Sequence, residues 1–308
     1  MTASGEQQRA TGRPGGTDTV LIAIAVVAVA TSGPLMAATV APALAIAFWR
    51  NAMASFVIVP VALVRHRAEL LGLPRRELRL ALVAGVFLAL HFATWVPSLT
   101  YTSVASATAL VSTQPVWVAL IARAQGVQVS RAVWGGIAVS MVGALLLTGA
   151  DLQVSGRAFV GDLIAVAGGF FAAAYITAGS EVRRSVSTTT YTALCYSTAA
   201  GLLLVTCVVG RQALSGYAAI DWARLVAITL GAQLLGHSLF NVVLRSTSPT
   251  VVSMAILLEI PGAALIAAVF LDQRPPALAL PAAVLLIAGL AIVIRDSSRD
   301  VEPSLPVE

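Results

Sequence analysis

The sequence predicts an all-α membrane protein: ten transmembrane helices arranged as two inverted five-helix repeats. Three observations carry that prediction. Hydrophobic residues make up 58% of the chain and charged residues only 11%, with a mean hydropathy of +0.89, whereas a soluble domain is roughly a quarter charged. Such a chain cannot cover itself with polar surface. Polar punctuation recurs without a gap, because His91, Pro115 and Gly143 return 146 residues later as His237, Pro261 and Gly289. Arginine-rich and arginine-poor connections alternate along the chain.

A span needs roughly 20 apolar residues to cross the hydrocarbon core. Ten such stretches are read near 19–39, 44–64, 80–99, 104–122, 133–149, 161–179, 191–209, 225–244, 251–271 and 277–294. They divide the chain into an N-terminal tail (1–18), a first repeat (19–149), a seam loop (150–160), a second repeat (161–295) and a C-terminal tail (296–308). The tail before span one is polar and no small-residue cleavage site follows, so no removed signal peptide is expected. Five spans per copy is an odd number. The second copy therefore enters the membrane from the opposite side, the arrangement that in secondary transporters encloses a site near the midplane.

All nineteen basic residues are Arg. With the N-terminus inside, fourteen fall in inside segments, while Arg50, Arg157, Arg211, Arg224 and Arg274 fall outside. The positive-inside rule then places both termini in the cytoplasm. The net charge of +5 is spread over alternate connections rather than gathered on one face, so no nucleic-acid partner is expected.

Helices in lipid approach closely through small side chains. Span five offers Gly136, Ser140 and Gly143, and span ten offers Ala282, Ala288 and Gly289 at equivalent places. Contact between these two spans across the pseudo-axis is one reading; an alanine-rich chain with small residues everywhere is the other. Prolines within spans open the backbone ladder, and Pro34, Pro115 and Pro261 are expected to kink spans one, four and nine. Pro115 and Pro261 form a matched pair, the pattern that points to a substrate path.

Polar side chains in the spans mark the candidate cavity. Glu259 is an acidic residue in the middle of span nine, and a charge there costs about 2.5 to 3.5 kcal/mol on insertion scales, so it should face the bundle interior. Burial favours the neutral acid, which makes Glu259 the candidate for proton coupling; a protonated carboxyl bonded to a neighbouring helix is the structural alternative. Gln114 occupies the matching zone of span four and cannot titrate. Gln233, His237 and Asn241 are spaced as a stripe on one face of span eight. His91 and Trp95 on span three and Tyr175 on span six complete the expected lining. Trp49 with Arg50, and Trp222 with Arg224, are read as interface anchors, although Arg50 sits far enough inside its apolar run either to meet an anionic group of the cargo or to snorkel outward.

No enzyme chemistry, cofactor or metal site is expected. The sequence has no glycine-rich phosphate loop followed by Lys, and the histidines are not spaced with Cys, Asp or Glu as metal ligands. The stretches GHSLFNVVLRSTSPTVVSMAILLEIPGAALIAAVFLDQRP and HFATWVPSLTYTSVASATALVSTQPVWVALIA resemble the EamA-type proteins of the drug/metabolite transporter superfamily over about residues 19–295. That resemblance implies a ten-span bacterial inner-membrane carrier, in a family whose members often export amino acids, other metabolites or toxic compounds. The family's span-three His or Trp corresponds to His91 and Trp95, its span-two Arg to Arg50, and its acidic residue before Pro to Glu259 ahead of Pro261. The Gly-Glu pair that commonly closes spans four and nine is replaced by Gly126-Val127 and Asp272-Gln273, so no role of that glutamate carries over.

The expectation is a secondary transporter in the lipid bilayer that exports a small amphipathic metabolite, an amino acid or a related compound, by alternating access with possible proton coupling. An uncoupled facilitator or importer, and a non-transport scaffold or accessory subunit, remain as rivals. Sparse charge in the bundle argues against a nucleotide or sugar phosphate, which would call for several interior Arg.

Overall fold

The computed structural model describes residues 14–102, 107, 110–148, 156–270 and 278–299. Among the described residues the secondary structure is helical, without strands. Eight helices are long and apolar enough to cross a membrane: Gly16–Met36, Ala43–Arg65, Arg75–Ser98, Gly156–Arg183, Thr188–Val209, Ala219–Val243, Pro249–Ile266 and Ala279–Asp296. The shorter helices Gln114–Ala124 and Arg131–Thr148 belong to spans four and five, which brings the bundle to the ten spans the sequence predicts. Span six begins at Gly156, inside the stretch expected as a seam loop. The rest of that loop, Asp272-Gln273 and most of both tails lie outside the described residues.

Local chemistry sets several of the helix starts. Ser187 caps span seven by accepting from the Thr190 amide. Ser248 does the same for Val251, with Pro249 at the first position of span nine, where a missing N–H costs nothing. Small and aromatic side chains, with part of the Leu, Ile and Val, turn into the bundle, while many other Val, Leu and Phe side chains stand on its outside. That outward apolar face suits a hydrocarbon solvent rather than water.

The packing pattern itself reveals the inverted repeat. Spans three and six pack together, as do spans eight and one; four meets six as nine meets one; three meets seven as eight meets two. Exchanging the two copies maps each contact onto another, while the pairs two–seven and five–ten map onto themselves. These are the contacts expected of two five-helix units related by a two-fold axis. Spans five and ten meet through the small residues named from the sequence: a Cβ added at Gly136 would stand 2.8 Å from the Gly289 carbonyl oxygen, and one at Gly143 2.9 Å from that of Ala282. Ser140 donates across the same seam to Leu286 O at 3.3 Å.

On the face that carries the N-terminal end of span one, the connection after span two folds onto the start of span seven. Glu69, on the short helix Arg67–Leu71, accepts from the Ser187 amide at 2.7 Å, from the Thr190 hydroxyl at 2.6 Å and from the Ser187 hydroxyl. Partial burial works against the charged carboxyl, but these hydrogen bonds, with His66 nearby, outweigh it and hold Glu69 below the usual carboxylate range. A group whose pKa is lowered by folding contributes stability above its unfolded value and loses it as pH falls through the folded one. Glu69→Gln is therefore expected to cost about 2 kcal/mol at neutral pH. The difference in unfolding midpoint between the two proteins should close as pH drops below the ordinary 4.5; a gap that persists at about pH 3 would show that the latch does not depend on charge.

Candidate functional site

Three spans are interrupted. Span one ends its first helix at Ala30 and resumes at Ser32. The reason lies four residues on, because the Pro34 ring cannot donate to the Ala30 carbonyl and crowds it. In span four a turn at Ser112 and Thr113 precedes a helix that restarts at Gln114, with Pro115 next. In span nine a turn at Leu257 and Leu258 precedes a helix that restarts at Glu259, with Pro261 two residues later. Both prolines thus sit in the first turn of a resumed helix instead of kinking a continuous one. Each break is received by the other repeat: the span-four break packs on Gly169 of span six, and Gly262, beside the span-nine break, packs on Ala30 of span one. Gln114 and Glu259 are equivalent in this frame, each the first residue of a half-helix.

Span eight departs from an α-helix where its polar residues lie. Thr229–His237 is π-helical, a geometry that in single turns often marks functional sites. The i→i+5 pattern widens each turn, so Gln233, His237 and Asn241 do not form the straight stripe that α-helical spacing predicts. Gln233 turns toward span two. Its Oε1 accepts from Arg50 Nε at 2.9 Å and its Nε2 donates to Asn51 Oδ1 at 3.1 Å, while Asn51 Nδ2 donates to its own helix at Ala47 O, 2.9 Å away. Asn241 turns toward span six, exchanging hydrogen bonds of 3.0 and 2.8 Å with the Tyr175 hydroxyl and donating to Tyr196 at 3.4 Å. Tyr175, Gln233 and Asn241 are buried and already bonded to protein. They are framework as much as lining.

Arg50 does not snorkel outward. Its side chain is 1% exposed, inside the bundle rather than at an interface. The guanidinium lies 4.3 Å above the Phe92 ring, Nη1 donates to Ser32 Oγ at 3.4 Å, and Nη2 is buried with no hydrogen-bond partner among the described residues. It stands within electrostatic reach of Glu259, Tyr175, Tyr196, His91 and His237. Trp49, its neighbour, does behave as a fastener: its indole donates to Leu214 O at 3.0 Å, and its ring meets Trp222 edge-on. With Arg50 removed from the outside tally, four arginines remain there.

His91 donates from Nδ1 to the Gly168 carbonyl at 2.9 Å, which leaves Nε2 as an acceptor in the neutral ring. The imidazole stacks on Trp95, centroid to centroid 5.5 Å, and the Trp95 Nε1 is buried with no hydrogen-bond partner among the described residues. His237 is half-buried and meets Phe92 edge-on at 6.1 Å. Glu259 is also half-buried. The structure therefore gathers Arg50, His91 and His237 around Phe92, with Glu259 within electrostatic reach of Arg50 and Trp95 one helical turn further along the same span. Sequence reasoning passed over Asn51, Phe92, Ser32 and Tyr196. Asn51 left a readable signal, a second polar residue beside Arg50 in an apolar run; Phe92 left none.

A match to the EamA-like transporter family covers residues 19–149 and 159–295, one copy in each repeat. A solved crystal structure of a protein shares the fold, with a TM-score of 0.77 at 16% identity, covering 93% of this chain and 99% of its own. No curated protein matches. The matched segments take in every residue of the cluster, from Arg50 on span two to Glu259 on span nine, and the chain belongs to the EamA-like transporter family.

Proposed function

We propose that this membrane transporter of small molecules is a secondary exporter of amphipathic metabolites, amino acids or related compounds, working by alternating access with both termini in the cytoplasm of an inner-membrane protein. The observation that supports the reading is that the breaks of spans one and nine, from opposite repeats, bring Ser32 onto Arg50 and Glu259 within its electrostatic reach, while the matched break of span four is received by span six. Rigid scaffolds have no use for such breaks, and half-helices at matched positions allow two repeats to rock about a central site. His91, Trp95 and His237 line the cargo's path. Pro115 and Pro261 keep the half-helices of spans four and nine apart, and Pro34 does so in span one. Glu259 carries the coupling proton, since its counterpart Gln114 cannot.

Purified protein in lipid vesicles tests this reading. Cargo loaded inside, drawn from a panel of amino acids and amphipathic analogues, should exchange faster than from empty vesicles, and a pH gradient should drive net movement. Movement that ignores the gradient would replace coupling with facilitated passage. A panel that neither moves nor stabilises the protein would favour a scaffold.

A further inference from the structure

The most exacting group in the bundle is Arg50. A guanidinium offers five N–H donors. Gln233 and Ser32 take two of them, the second weakly at 3.4 Å. Three remain, both hydrogens of the buried Nη2 among them. Among the described residues no carboxylate oxygen approaches Arg50 within the 4.0 Å of an ion pair, although Glu259 is close enough for their charges to interact. A buried cation with open donors is costly unless an anion completes it.

Its setting is built rather than incidental. Asn51 Nδ2 is committed to Ala47 O, so Asn51 Oδ1 must accept. That orients the Gln233 amide with its N–H₂ toward Asn51 and its oxygen toward Arg50 Nε. Phe92 covers one face of the guanidinium. The plane and edge of the fork are thus fixed, with the end formed by Nη1 and Nη2 left to a ligand.

We propose that Arg50 is the receptor for a single carboxylate on the cargo, and that Gln233, itself held by Asn51, is the positioning residue that aims it. This deepens the proposed function by naming the chemistry the cargo must present: one carboxylate on an apolar or aromatic body. One Arg matches one carboxylate in a fork geometry. A phosphate or dicarboxylate would leave excess charge, since the other buried arginine among the described residues, Arg183, is committed to the Asn241 and Val186 carbonyls, and a simple amine would leave Nη2 unpaired beside a new positive charge. The aromatic surround of Phe92, Trp95 and His91 suits the apolar body.

Equilibrium binding to the detergent-solubilised full chain reads this without asking about direction or coupling, so failure of vesicle transport and failure of this proposal are separable. The probes are matched sets: 4-phenylbutyrate, 4-phenylbutyramide and 4-phenylbutylamine, and leucine with leucinamide, with sodium acetate as a bare carboxylate. Thermal unfolding should rise with each acid and not with its amide or amine, and acetate at the same concentration should do little. Gln233→Leu should weaken the acid's binding at least about tenfold, the loss of one charge-assisted contact, and Arg50→Gln should abolish the acid-over-amide preference. Should Arg50→Gln fail to fold, the wild-type acid and amide pairs together with Gln233→Leu still decide the matter. Equal stabilisation by acid and amide, stabilisation by the amine alone, or an acetate effect as large as that of the full acid would overturn the proposal. So would wild-type protein that ignores every acid while Arg50→Gln unfolds at a higher temperature, since Arg50 would then be an internal charge only.

Discussion

Vesicles containing Glu259→Gln protein are expected to exchange cargo with cargo but to lose the response to an imposed pH gradient. The amide keeps the shape and polarity of the protonated acid, so the half-helix that starts at this residue should fold as before. What it cannot do is release a proton. Net movement driven by the gradient should fall at least about tenfold, toward the level seen without one, while counterflow of labelled against unlabelled cargo stays near that of wild type. The same substitution takes from Arg50 the one carboxylate within electrostatic reach among the described residues. Breaking a buried charge relationship from one side costs more than removing both partners. Glu259→Gln and Arg50→Gln should therefore each destabilise more than the double variant does relative to either. An unchanged proton dependence in Glu259→Gln would remove the coupling assignment outright.

The fold was legible because its signals are long and redundant. Twenty apolar residues in a row allow few readings, and an odd number of spans per copy forces inversion whatever the individual side chains do. The small residues of spans five and ten were legible too, although an alanine-rich chain offers them everywhere, and only the close approach of Gly136 and Gly289 separates the two readings. The site was harder. Arg50 follows a Trp near a span end yet sits deep enough in its apolar run either to meet an anionic group or to snorkel outward, and nothing local decides between the two; its partners Gln233 and Ser32 are 183 and 18 residues away. The stripe of Gln233, His237 and Asn241 rested on α-helical spacing, which the π-helical stretch Thr229–His237 does not keep. Pro34, Pro115 and Pro261 were expected as kinks. They prove to open or follow full interruptions, because turns at Ser112–Thr113 and Leu257–Leu258 release the carbonyls that a proline cannot serve.

Gly136→Leu is expected to be among the most damaging single changes outside the polar cluster, because the seam of spans five and ten has no slack. A Cβ at Gly136 would stand 2.8 Å from the Gly289 backbone oxygen and 2.8 Å from Val293 Cγ2, and a backbone carbonyl in a helix cannot swing aside. The helices must separate along their length, which also breaks the Ser140 contact with Leu286. In lipid nothing hydrophobic draws them back, since acyl chains satisfy leucine as well as a neighbouring helix does. Overpacking commonly costs about 1 to 3 kcal/mol, and here the upper end applies because the obstruction is main chain. For a protein of this size that corresponds to roughly 5 °C in unfolding midpoint. The neighbouring Gly135 supplies the control: a Cβ there meets nothing within 4 Å, so Gly135→Leu adds a methyl-rich side chain to the lipid face at almost no cost. Equal losses in the two variants would mean that the seam is not what holds the pair together. A large loss in Gly136→Leu alone would locate the closest joint between the repeats on the pseudo-axis, which is where two rocking halves need a fixed contact.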